Sequence, residues 1–238
     1  NESERKALLD GDWDSFEGKY FKEWSYDVHV CKPFKIPTDW QRIRTIDWGY
    51  TNPTVCLWIA FAPSKKAYVY RELTLTEATI EETVDTIKNL SDGETYSYTT
   101  ADPALWSTTQ LERGESIAHR IMTMGIPLMK ADNNRIAGWN VIHSYLEWNE
   151  TLEPRMQFFS NCLQLIKTLP GLIHNTKKPE DLNTEGDDHH ADALRYGLMT
   201  RPLSSYKPKS EHVPRFSFEA MMRMKEDRNK QKGYVGSF

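Results

Sequence analysis

The sequence predicts a mixed α/β domain, a sheet of five or more strands with helices on both faces. Three observations carry that prediction. Three runs rich in apolar, β-branched and aromatic residues (42–50, 54–62 and 67–75) are separated by connections too short for a helix, the meander pattern of antiparallel neighbours. After residue 76, helix-like and strand-like segments alternate, which adds βαβ units to the meander. Finally, residues 188–200 carry a helical period that sets apolar positions on one side and acidic ones on another.

Taken in order, residues 1–40 read as a polar helix or turn followed by extended chain. Two prolines in KPFKIP favour an extended path. Asp10, Asp12 and Asp14 have the spacing of a calcium loop, but Ser15 stands where that loop needs Gly and Phe21 where it needs Glu. RIRTIDWGY, TVCLWIAFA and AYVYRELTL are the three strands of the meander. An amphipathic helix follows over roughly 77–90, with Ile80, Val84, Ile87 and Leu90 on one face and Thr79 and Glu82 placed for a capping box. YSYTTADP is a fourth strand ended by proline. A crossover through the helix brings it beside the first strand in parallel. A helix about 115–125, the short strand IPLMKA, a helix about 135–149, the strand MQFFS and a helix about 161–169 complete the alternation. A polar loop over 174–187 then leads to the helix DHHADALRYGLMT.

Composition sets the outer limits. The chain has 238 residues, 39% hydrophobic, with 8 Trp, 11 Tyr and 9 Phe, enough to fill a sizeable core and too aromatic for a wholly disordered chain. No run of about 18 apolar residues offers a membrane span. Three dispersed cysteines, Cys31, Cys56 and Cys162, make neither a disulfide framework nor a zinc site and suit a reducing cytosol. The net charge of −4 is unevenly placed, because residues 201–238 hold nine Lys/Arg against four Asp/Glu. An acidic body with a basic tail leaves a nucleic-acid partner open. Organisation follows as a 1–40 extension, a 41–200 domain and a 201–238 basic tail.

The chemistry concentrates in three acidic motifs. Asp47 interrupts an apolar strand, where an ionised carboxylate is costly unless it is paired or bound to a cation. Its alternative is a strand-end Asp capping a turn. Asp102 ends the fourth strand in an Asp-Pro that would also start a turn. If that strand lies beside the first, the two carboxylates meet and need a metal or a shared proton. On the late helix, Asp188, His189 and Asp192 share a face. A helix start enriched in acids explains Asp188 but not Asp192, a turn further in. Hard oxygen ligands of this kind suit two Mg²⁺ or Mn²⁺ ions, which would activate water and stabilise a leaving 3′-oxygen.

The runs TIDWGYTNP (45–53), TTADPALW (99–106), GIPLMKADNNRIAGW (125–139) and GDDHHADALRYGL (186–198) together resemble the nuclease half of a tailed-phage terminase large subunit. The resemblance covers about residues 8–200. His-x-x-Asp-Ala-Leu-Arg-Tyr is its most specific motif. It implies a ribonuclease H-like fold, metal-binding aspartates at Asp47, Asp102 and Asp192, and auxiliary roles for Asp188 and His189. It further implies a packaging motor that cuts concatemeric double-stranded DNA, with an ATPase domain, a portal and a small terminase subunit as partners in the host cytoplasm. No Gly-x-x-x-x-Gly-Lys-Ser/Thr occurs, so the expected unit is the nuclease without the ATPase. Lys130, Arg135 and Arg195 are candidate phosphate contacts; Arg195 could instead orient a carboxylate. Two other readings remain: a transposase- or resolvase-like nuclease of the same fold, and a non-catalytic portal-docking module.

Overall fold

The computed structural model describes residues 18–108, 114–183 and 186–201. Its centre is a seven-stranded mixed sheet: β1 (Val30–Cys31), β2 (Gln41–Asp47), β3 (Thr54–Phe61), β4 (Ala67–Leu75), β5 (Tyr98–Ala101), β6 (Met129–Lys130) and β7 (Met156–Phe159), in spatial order β1-β7-β4-β3-β2-β5-β6. The meander β2-β3-β4 is antiparallel. β5 joins β2 in parallel, as the crossover argument expects, and β6 and β7 extend the two sides in parallel. All eight residues of β3 are buried, as befits a central strand covered on both faces.

The helices are α1 (Tyr26–His29), α2 (Ile80–Leu90), α3 (Ile117–Thr123), α4 (Arg135–Leu146), α5 (Leu163–Thr168) and α6 (His189–Met199). Alternation along β2 assigns each face its cover. Arg44 points to one face, where its guanidinium donates to Ser91 Oγ, just after α2, and to Thr99 Oγ1. Trp58 Nε1 reaches the same Ser91 hydroxyl at 3.1 Å. Thr45 points to the other face and donates to the Ala193 carbonyl of α6 at 2.8 Å. Asp47, two residues on, shares the face of Thr45 and therefore faces α6. Gly197 lets α6 come this close, since a Cβ there would lie 2.7 Å from Ile59 Cδ1.

The capping box at α2 is present as expected: Thr79 Oγ1 accepts from Glu82 N, and Thr79 N donates to Glu82 Oε2. Val84 and Ile87 of its apolar face are buried, whereas Leu90 is exposed.

One expectation is revised by the packing. Residues 18–40 do not behave as a bare extension, because Tyr20, Phe21 and Trp24 are buried in the core. Tyr20 N donates to Leu172 O at 2.7 Å, and β1 pairs with β7. Buried His29 stacks on Trp24 and bonds the Leu146 carbonyl at 2.9 Å through Nε2. These apolar positions are interleaved with Lys and Glu and carry no period, so they read as polar chain. The rejected calcium spacing at 10–14 and the basic tail after 201 lie outside the described residues.

Candidate metal and nuclease site

Register builds the site. Ile46 of β2 stands opposite Ala101 of β5, so Asp47 and Asp102 emerge together at the carboxyl ends of adjacent parallel strands. The start of α6 lies across them. The result is an open pocket of about 520 Å³ lined by Asp47, Asp102, Asp188, His189 and Asp192, with Arg135, Arg195 and Tyr196 among its other walls.

Each carboxylate has its own surroundings. Asp47 is 8% exposed. Burial raises its pKa, and Asp192 and Asp102 add to the rise, while the bond to His189 opposes it. That bond joins His189 Nδ1 to Asp47 Oδ2 at 3.1 Å and is the main cause raising the histidine's pKa. The pair is thus set to hold protons more tightly than either group would in water. Asp188 is raised to about 6 by burial and then by Asp192.

Asp102 is tied at both oxygens. Its Oδ1 accepts from Ala104 N at 2.8 Å, capping the 3-10 turn Pro103–Trp106, and its Oδ2 accepts from Tyr196 Oη at 3.0 Å. Starting the turn thus does not take Asp102 off the pocket wall. Asp192 Oδ1 accepts from Arg195 Nε at 2.9 Å and Nη2 at 2.7 Å, and its Oδ2 lies 3.6 Å from Arg135 Nη1.

Of the expected phosphate contacts, only Arg135 lines the pocket with an accessible side chain, 31% exposed. Lys130 is exposed on β6, over the Trp106 ring, and is not part of the pocket wall. Arg195 is corrected: at 1% exposure it has no surface to offer a phosphate, and its bonds to Asp192 give it the orienting role. Its stem crosses Gly138 of α4, where a Cβ would fall 2.3 Å from Arg195 Cγ. Trp139 is fully buried, and its Nε1 donates to Asp181 Oδ1 at 2.9 Å.

Two contributors escaped the sequence reading. Tyr196 sits four residues after Asp192, the one-turn spacing that could have flagged it. Gly138 matters only through what crosses it and left no sequence signal.

Among the described residues, no three His, Cys, Asp or Glu side chains converge closely enough to hold one ion. Asp47 is instead bonded to His189 and Asp102 to Tyr196, while Asp188 and Asp192 stand close enough to repel each other. The donor chemistry, carboxylate oxygens with one imidazole, nonetheless fits a hard divalent cation.

Known structures share this architecture. The nuclease domain of the P22 large terminase superposes with a TM-score of 0.63 at 18% identity, covering 77% of this chain and 92% of that one. The chain has the fold of a phage large-terminase nuclease domain. The large terminase of a thermophilic bacteriophage aligns with a TM-score of 0.61 at 18% identity over 74% of this chain, which spans only 42% of that longer protein. The large terminase nuclease of another thermophilic phage, G20c, solved with bound magnesium, gives 0.54 at 14% identity, covering 78% of this chain and 98% of that one. The mixed sheet and flanking helices thus share the architecture of terminase nuclease domains, in keeping with the mixed α/β class expected from the sequence. No protein-family model and no curated protein sequence matches the chain. Among the described residues, no helix is long and apolar enough to cross a membrane.

Proposed function

We propose that this chain is the metal-dependent endonuclease part of a phage DNA-packaging motor, cutting concatemeric double-stranded DNA into genome lengths. The observation that carries the reading is the gathering of Asp47, Asp102, Asp188, His189 and Asp192, from β2, the end of β5 and α6, around one open pocket. The terminase nuclease fold supports it, as do the magnesium and cobalt bound to the G20c nuclease of that fold.

In this reading Asp47, Asp102 and Asp192 hold two Mg²⁺ or Mn²⁺ ions, with Asp188 and His189 as auxiliary groups. Bound ions would supply an activated water and charge stabilisation for the leaving 3′-oxygen. The chain's own residues prepare the ground. Tyr196 fixes the Asp102 carboxylate, Arg195 fixes one oxygen of Asp192, and His189 orients Asp47 and can hold a proton beside it. Of the candidates named from the sequence, Arg135 at the pocket and Lys130 on β6 would meet DNA phosphates, contacts that position the duplex without reading its sequence. The ATPase domain, portal and small terminase subunit are the proposed partners, in the host cytoplasm.

One observation favours a second reading. Arg135 and Arg195 already balance part of the acidic charge, as a non-catalytic portal-docking module would also require. Supercoiled plasmid separates the two. Nicking and linearisation are expected with Mg²⁺ or Mn²⁺ and not with EDTA, falling about a hundredfold or more in Asp47→Asn and Asp192→Asn. Full activity in either variant, or cleavage that persists in EDTA, refutes the nuclease assignment at this site. A folded wild-type chain that never cuts favours the docking module.

A further inference from the structure

The pocket holds two arginines, and they are held very differently. Arg195 is 1% exposed, makes bonds of 2.7 and 2.9 Å to Asp192 and one of 3.3 Å to Asn133 Oδ1, and lies over the Trp139 and Tyr196 rings. It is enclosed on every side and cannot leave without unpacking α4 from α6. Arg135 is the first residue of α4 and 31% exposed. Its guanidinium stands among three carboxylates and makes only one hydrogen bond to them, a long one from Nε to Asp181, while Asp188 and Asp192 are met by charge alone. Nη1 is 3.6 Å from Asp192 Oδ2, Nη2 is 4.0 Å from Asp188 Oδ2, and Nε is 3.4 Å from Asp181 Oδ1. Its Nη2 is enclosed without a hydrogen-bond partner, as is Arg195 Nη1, so the contrast between the two arginines rests on exposure and on the bonds to Asp192.

A cation placed there lowers the repulsion between Asp188 and Asp192, but without the short bonds that would fix it. Such a group is easily exchanged for another cation with better geometry, because little directional bonding is lost when it goes. Asp192 is consequently divided: Oδ1 is held by an arginine that stays, and Oδ2 faces one that can go.

We propose that Arg135 competes with the divalent ion for Asp188 and Asp192 and is displaced when the ion binds. The proposal deepens the metal-dependent reading above and rests on it. It predicts that the metal-free chain carries its own counter-charge, so that ion binding is an exchange of cations rather than the filling of a bare acidic site.

Titration calorimetry with Mn²⁺ alone on the full 238-residue chain tests it. Removing a unit charge about 4 Å from the ligands should tighten Mn²⁺ binding about fivefold or more in Arg135→Gln. Arg135→Lys, which keeps the charge on a different stem, should fall between that variant and wild type, and it supplies the readout if the Gln variant fails to fold. Arg120→Gln, removing an exposed arginine paired with Glu81, should leave the affinity unchanged. In wild type, the Arg135 Nε–H NMR signal should shift on saturation with diamagnetic Mg²⁺. Equal Mn²⁺ affinity in wild type and the Arg135 variants overturns the proposal while leaving the metal reading intact. Tighter binding with an unmoved Arg135 signal overturns displacement, since charge alone then explains the gain. A wild-type chain that binds no Mn²⁺ takes down the metal reading, and this proposal with it.

Discussion

Asp188 is only 7% exposed on the pocket wall and has a second carboxylate, Asp192, close by. Its pKa is raised from 3.8 to about 6 by burial and then by Asp192. Between those values the folded chain binds more protons than the unfolded one, so its stability falls as pH rises through that window. The cost is fully present above pH 6 and absent below about pH 4. Asp188→Asn removes it. In EDTA at pH 7.5 the variant should be more stable by about 1–3 kcal/mol, with the difference closing near pH 4. Denaturant midpoints at the two pH values check this, and a pH-independent difference would contradict it. At the same scale, Arg195 illustrates why residue type alone misleads. An arginine three residues from a site aspartate reads equally as a phosphate contact or as a clamp, and only its enclosure by Gly138, Trp139 and Tyr196 decides for the clamp.

At the scale of elements, the site depends on how closely α4 and α6 approach. Gly138 makes room for the Arg195 stem, and alanine there would place its Cβ inside that side chain. Alanine normally favours a helix interior over glycine by up to about 1 kcal/mol, but the overlap should cost about 1–3 kcal/mol and prevail. Gly138→Ala is therefore expected to destabilise the chain in chemical denaturation; a gain in stability would mean that Arg195 can be rerouted freely. The elements that carry the carboxylates were the legible ones. Asp47 stood out because a charge inside an apolar strand needs a reason; Asp192 was expected a turn past the helix start, but the helix begins at His189 and places it in the first turn. The strand pairing that joins Asp47 to Asp102 followed from the meander and one crossover. The illegible parts have physical causes as well. Tyr20, Phe21 and Trp24 are scattered among charges and show no period, and β1 is two residues long, below what a pattern can signal. The division of Asp192 between two arginines depends on side-chain packing from α4, and no spacing within α6 encodes it.

For the whole molecule, the sheet serves to bring distant carboxylates to one end. β2 and β5 are more than fifty residues apart in sequence and adjacent in space, and α6 closes the group from the face that Thr45 and Asp47 share. The net charge of −4 does not argue against the proposed DNA partner, because part of the acidity is gathered at this pocket, where bound cations would reverse the local field. Asp47, Asp102 and Asp192 are proposed to form one divalent-metal site. Anomalous diffraction from a crystal soaked in Mn²⁺ tests it most directly. Two manganese peaks are expected in the pocket, ligated among Asp47, Asp102 and Asp192. Saturating Mn²⁺ with no peak there, in a crystal whose pocket is open to solvent, would contradict it.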